Sequence, residues 1–198
     1  MDDKWLTIEN QDGEVVLTKC SQEAEGVIVV PEGVVEIGTH AFSRCKSIES
    51  IKLPDSVRKI GMAAFKGCKS LTSITIPNSI TAILSHAFEG CSGLTSIIIP
   101  DSVERIGKHA FSDCTGLVSI RMPEYANIEN QAFIGCINIK EIVLPKREVA
   151  LRSLALGRLV YIFENVDLSQ CTIVVPKNVN KDLISYYFEG VGNVVNEQ

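Results

Sequence analysis

The chain has 198 residues, 45% of them hydrophobic and 22% charged, and a formal net charge of −5. That length supports one core, compact or elongated, while the acidic balance works against a sequence-independent grip on nucleic acid, which needs Lys and Arg clustered against phosphates. No basic run offers a dock for an anionic membrane, no apolar stretch approaches the ~20 residues of a membrane span, and Met1-Asp2-Asp3-Lys4-Trp5 has neither the basic head nor the apolar stretch of a secretory leader.

The first predicted element is a β-hairpin. Trp5-Leu6-Thr7-Ile8 and Val15-Val16-Leu17 flank Asp12-Gly13, a dipeptide suited to a tight hairpin turn. Residues 1–27 are read as an N-terminal capping hairpin that blunts an open end, with Trp5 packing in the cap rather than serving as a binding anchor.

A repeat follows. Pro31, Pro54, Pro77, Pro100, Pro123 and Pro145 are spaced by 23, 23, 23, 23 and 22 residues. Phenylalanine keeps the same beat at Phe42, Phe65, Phe88, Phe111 and Phe133, and cysteine at Cys45, Cys68, Cys91, Cys114 and Cys136. Residue types held in phase at a period of 20 to 29 residues are the signature of a solenoid. In the unit 71–93, alternation over Ile74-Thr75-Ile76 predicts a short strand. Pro77 ends it because proline cannot donate to a ladder, and Asn78-Ser79 supplies turn chemistry. Ile80, Ile83, Ala87, Phe88 and Cys91 then curl back as turns or a short helix. One such rung leaves an apolar edge on each side, so neighbours must stack in register. Ile51, Leu53, Val57, Ile60, Ala64, Phe65 and Cys68 form the matching inward set of the preceding rung.

The cysteines total seven, an odd number, and five recur once per rung. Rungs ~4.8 Å apart would leave neighbouring Cys within bridging reach, but the regularity reads as packing of small, reduced thiols. Zinc-type spacing is missing. The three histidines, His40, His86 and His109, share one position that Ala63 and Gln131 fill elsewhere; duplication of the repeat accounts for this, with a shared metal ion as the alternative. Glu32, Asp55, Asn78, Asp101 and Glu124 follow the prolines and read as turn caps, with calcium as the alternative. No metal or cofactor is expected.

These residues carry a resemblance. Leu71-x-x-Ile74-x-Ile76-x-x-Ser79 follows the leucine-rich-repeat pattern, and Ile106-Gly107-Lys108-His109-Ala110-Phe111-Ser112-Asp113-Cys114 resembles the BspA-type leucine-rich repeats of many bacterial and some protist surface proteins. The resemblance implies a β-rich α/β solenoid, a right-handed superhelix with a parallel strand ladder, and, from some relatives, adhesion or host interaction. It runs from about Ile28 to Pro145, so residues 28–150 are taken as the repeat region. Leu84 and Glu129 stand where Gly38, Gly61 and Gly107 occur in other rungs, and Tyr125 takes a Ser position, which predicts local distortion. The compartment is open: cytoplasmic by the lack of a leader, cell-surface or secreted by the resemblance if a leader has been removed.

Residues 151–198 read as a degenerate rung and a C-terminal cap. The 31-residue step from Pro145 to Pro176 implies an insertion near 147–160. Leu151 and Leu154 suggest a short helix there, Thr172-Ile173-Val174-Val175-Pro176 repeats the strand-plus-proline signature, and Leu183, Ile184, Tyr187 and Phe188 have the spacing of an amphipathic capping helix.

No nucleophile elbow, phosphate loop, H-E-x-x-H or C-x-x-C is present, so catalysis is not expected. The candidate recognition surface is the outward side of the strands: Val29, Lys52, Thr75, Ile98, Arg121 and Val143, beside Ser50, Ser73, Ser96, Ser119 and Glu141. It lacks the aromatic platform expected for single-stranded nucleic acid, and an extended polar and apolar ladder suits a protein partner. The expected function is a monomeric, non-catalytic protein-binding module; an intracellular scaffold is the alternative, and an enzyme or metal-binding protein a distant one.

Overall fold

The computed structural model describes residues 3–144, 161–177 and 191–196. In chain order the strands are β1 (Leu6–Gln11), β2 (Glu14–Cys20), β3 (Glu25–Val29), β4 (Glu36–Ile37), β5 (Ser47–Lys52), β6 (Lys59–Ile60), β7 (Ser73–Thr75) and β8 (Ala82–Ile83). They continue as β9 (Ser96–Ile98), β10 (Arg105–Ile106), β11 (Ser119–Arg121), β12 (Asn127–Ile128), β13 (Glu141–Val143), β14 (Thr172–Val175) and β15 (Asn193–Asn196). The chain coils so that each rung contributes one front and one back strand. The back sheet runs β1-β2-β4-β6-β8-β10-β12, and the front strands form two blocks, β3-β5-β7 and β9-β11-β13-β14-β15. All pairs are parallel except β1 with β2, which meet antiparallel across Asp12 and Gly13, both at positive φ.

The solenoid is held by three inter-rung hydrogen-bond ladders. Besides the two sheets, a third runs through the returning turn, where Phe65 N–H donates to the Ala87 carbonyl at 2.7 Å and Phe88 N–H to that of Ala110 at 2.7 Å. Pro54, Pro77 and Pro100 set φ for a tight turn, their carbonyls accepting from Val57, Ile80 and Val103 N–H at 3.1 Å. The serine that follows ties its turn to the rung before: Ser79 Oγ donates to the Val57 carbonyl at 2.7 Å, and Ser56 and Ser102 do the same to Val34 and Ile80.

Inside, columns of identical side chains interlock. The rings of Phe42, Phe65, Phe88, Phe111, Phe133 and Phe163 stack with centroids 4.9–5.2 Å apart, close to the spacing of paired strands. The expected inward set is buried, except that Leu53 is only half-buried. Every cysteine is a buried free thiol, and the column does more than fill space. Cys91 Sγ donates to the Phe65 carbonyl at 3.1 Å and Cys114 Sγ to that of Phe88 at 3.1 Å. Cys68 and Cys136 repeat the contact. Burial pushes the Cys91 thiol up to about 12, so this thiol is protonated at neutral pH.

One open alternative is decided and one expectation is corrected. The return segment is built of turns, not short helices, throughout 35–144. Its cause is the backbone: His40, Ala63, His86, His109 and Gln131 all adopt positive φ, and so, four residues on, do Arg44, Gly67, Gly90, Asp113 and Gly135. Two left-handed residues per coil cannot belong to a right-handed helix. Secondly, a helical cap is not supported: the helices read over 151–156 and 183–188, like the insertion near 147–160, lie outside the described residues, and the described sheet ends in a strand. β15 pairs with β14 from Thr172↔Asn193 to Val175↔Asn196, adding Val194 to the interior column and meeting the backbone groups of the β14 edge.

Candidate binding surface

Strand alternation turns Ile74, Ile97 and Ile120 inward and their neighbours outward. Register then aligns those neighbours. Ser50 faces Ser73, and Lys52 faces Thr75; in the second block Ser96, Ser119 and Glu141 form one row and Ile98, Arg121 and Val143 another. Val29 extends the Lys52 row on β3. Ser73, Ser96, Thr75, Lys52, Ile98 and Glu141 are exposed, while Ser50, Ser119, Arg121 and Val143 are half-buried. The structure therefore assembles the sequence-predicted residues on one face, but in two blocks: no ladder pairing joins β7 to β9. Behind that break the back sheet stays closed, with Ala82↔Arg105 and Ile83↔Ile106 paired. A depression of about 340 Å³ lies over it, reaching Thr75 and Asn78 on one lip and Ile98 and Asp101 on the other.

The face carries little fixed charge pairing. Arg121 reaches Asp101 at 3.8 Å, a long contact, and Asp101 also accepts the Glu124 N–H at 3.1 Å. Asp101 thus ties its turn to that of the next rung, a bond across the stack. Among the described residues no group of three or more His, Cys, Asp or Glu stands close enough to hold a metal ion.

The histidine column lies on the returning turn, away from the strand face. His86 and His109 stack at 5.0 Å with ring planes 13° apart. His86 Nδ1 lies 2.6 Å from Glu89 Oε2, and Lys66 Nζ 2.8 Å from the same oxygen. Burial alone would raise the Glu89 carboxyl, but the bonds from Lys66 and His86 outweigh it and hold the group below its usual value. Sequence spacing located this column but missed what selects it, a positive φ for which histidine is among the more tolerant side chains. The glycines at 67, 90 and 135 were the available signal for its partner column.

The predicted distortion at Leu84 and Glu129 does not occur. Leu84 N–H reaches the Ile60 carbonyl at 3.0 Å and Glu129 N–H that of Ile106 at 2.9 Å, as Gly61 and Gly107 do in their own rungs. Glu129 also gains partners in Arg105, at 2.8 Å, and the Lys108 N–H, at 3.0 Å.

A parallel-stranded solenoid of short repeats with an interlocked core defines a leucine-rich repeat module. Residues 35–156 and 116–195 match the model of the BspA type leucine rich repeat region, in six copies; the chain belongs to that family. Among solved structures it is similar to a leucine-rich repeat protein of T. pallidum, with 31% identity over 73% of this chain and 71% of that one, at a TM-score of 0.69. A leucine-rich cell surface protein of Faecalibacterium prausnitzii matches at 31% identity over 74% of this chain and 40% of its own, TM-score 0.70. The pneumococcal vaccine antigen PcpA shares the fold at 20% identity, over 97% of this chain and 48% of its own, TM-score 0.72. No match was found among curated proteins. No helix among the described residues is long and apolar enough to cross a membrane.

Proposed function

We infer that this chain is a non-catalytic module that binds a protein partner along its front strands, with adhesion or host contact as its biological setting. The observation that carries this is the contrast of columns in one sheet: inward positions repeat, whereas the outward row reads Val29, Lys52, Thr75, Ile98, Arg121 and Val143. Packing dictates the first set and leaves the second free for recognition. Membership of a typically non-catalytic repeat family supports the reading, as does similarity to a protein described as a cell surface protein. The hairpin β1–β2 serves in this reading as the N-terminal cap.

Affinity capture from host and bacterial lysates, with wild type beside the double variant Lys52→Glu, Arg121→Glu, tests the surface. The expected result is a partner retained by wild type and lost by the variant, with the thermal melt unchanged; a partner held equally by both moves the site elsewhere. An intracellular scaffold remains the second reading, favoured by the buried free thiols, which suit a reducing compartment. Fractionation of the source cells separates the two, because an adhesin must be found outside.

A further inference from the structure

The break between β7 and β9 is local and polar at its lips. At every other junction from β5 to β14 in the front stack the N–H at the start of one strand reaches back to the previous rung: Thr72 to Glu49 at 3.0 Å, Val118 to Thr95 at 2.8 Å, Lys140 to Val118 at 2.8 Å and Thr172 to Lys140 at 2.8 Å. Thr95 N–H has no such bond to Thr72, and no ladder bond follows it. Thr172 and Asn193, which stand in the Ser96 row, donate back to Lys140 at 2.8 Å and Cys171 at 3.0 Å, so alternation directs the Ser96 and Ile98 amides of β9 toward the opening. The opening also uncovers core: Ile74 and Ile76 are 8% and 7% exposed, against 1% for Ile51 and 1% for Ile99. Unmade backbone bonds beside apolar surface are unfavourable unless something supplies partners. A whole strand does not fit, since Cα atoms of β7 and β9 still approach within 8 Å, but a ligand can lie over the cleft.

We propose that this cleft is the seat of an extended peptide running along the solenoid axis. The peptide's backbone meets the Ser96 and Ile98 amides, one of its aliphatic side chains covers Ile98, and a carboxylate pairs with Lys52. Ile98 is 67% exposed, the most exposed large apolar side chain of the described residues. Lys52 has no ion-pair partner there, and it lies two rungs from Ile98. Two steps of ~4.8 Å make ~10 Å, which is about three residues of extended chain. The ligand is therefore one with an acidic and an aliphatic residue three apart. Backbone bonding supplies affinity and the two side chains select the sequence, as when peptides bind sheet edges. Asp101 at the far wall disfavours a second carboxylate.

This rests on the front face being the binding surface, so the test separates the two claims. Amide hydrogen exchange on the free chain comes first: Ser96 and Ile98 are expected to exchange at least ten-fold faster than Ser73, Thr75, Ser119 and Arg121, and equal protection overturns the cleft. A displayed library of random heptapeptides is then panned on the folded chain. Supporting results are enrichment of an acidic and an aliphatic residue three apart, protection of Ser96 and Ile98 by a selected peptide, and ten-fold weaker binding to Ile98→Lys with an unaltered melt. Peptides weakened by Lys52→Glu but indifferent to Ile98→Lys overturn the cleft and leave the front face standing. Peptides indifferent to both, or no enrichment at all, overturn the proposal.

Discussion

Ile97 and Ile98 are adjacent in β9, yet one is 3% exposed and the other 67%. The Ile97 column reads Ile28, Ile51 and Ile74 in the first front block and Ile97, Ile120, Ile142 and Ile173 in the second, while its neighbour reads Val29, Lys52 and Thr75, then Ile98, Arg121, Val143 and Val174. The difference teaches what stacking imposes. An inward side chain touches copies of itself above and below, so one shape satisfies every rung; an outward one touches water on its far side, and nothing in the repeat decides it. Identity along a column is thus a measure of packing constraint, and the column where identity fails is where recognition can be written without loss of stability.

The strongest way to break this contrast is to attack the spine. Phe88 is fully buried between Phe65 and Phe111, with ring centroids 5.0 and 5.1 Å away. Replacing it by alanine removes contacts on both sides and leaves a hole that neighbours held by three hydrogen-bond ladders cannot collapse to fill. Phe88→Ala is expected to cost ~3–5 kcal/mol in urea unfolding. An unchanged midpoint would mean that the aromatic column does not hold the rungs together.

Cys91→Ala sharpens the comparison with a smaller effect. The thiol donates to the Phe65 carbonyl at 3.1 Å, but that oxygen also accepts the Cys68 N–H at 3.1 Å, so it is not left bare. The loss is one small group and one shared bond, about 1–2 kcal/mol. A neutral result would show that cysteine is chosen for size alone.

Much of the spine was legible in the sequence because its period survives in Pro, Phe and Cys, residues with few interchangeable substitutes at a crowded position. The face was legible too, as the complement of the strand alternation. What escaped were features set by backbone rather than side chain. The left-handed position is occupied by His, Ala and Gln, which share no chemistry, only a tolerated φ. The serine hydroxyls bridge to carbonyls one rung back, a partner that no local turn rule names. The opening between β7 and β9 has no residue signature, since Ile74-Thr75-Ile76 and Ile97-Ile98-Ile99 look like any other strand pair here.

The histidine column tests the ground between spine and face, because there the repeat imposes a conformation but not a side chain. Burial first, then the charges of His86 and Lys108, lowers the pKa of His109 below its ordinary value of 6.5. The folded state then binds this proton less readily than the unfolded chain does. Its stabilising contribution is complete above the ordinary imidazole value and is lost as pH falls through the lowered one. Glutamine suits the position, since Gln131 holds it at φ 64. His109→Gln should therefore fold normally and show a shallower fall in urea midpoint between pH 7 and 5 than wild type. Equal slopes would place His109 with the front face, as a side chain whose surroundings leave its protonation alone. A shallower slope would place it with the spine, where the neighbour in the next rung decides what a residue can be.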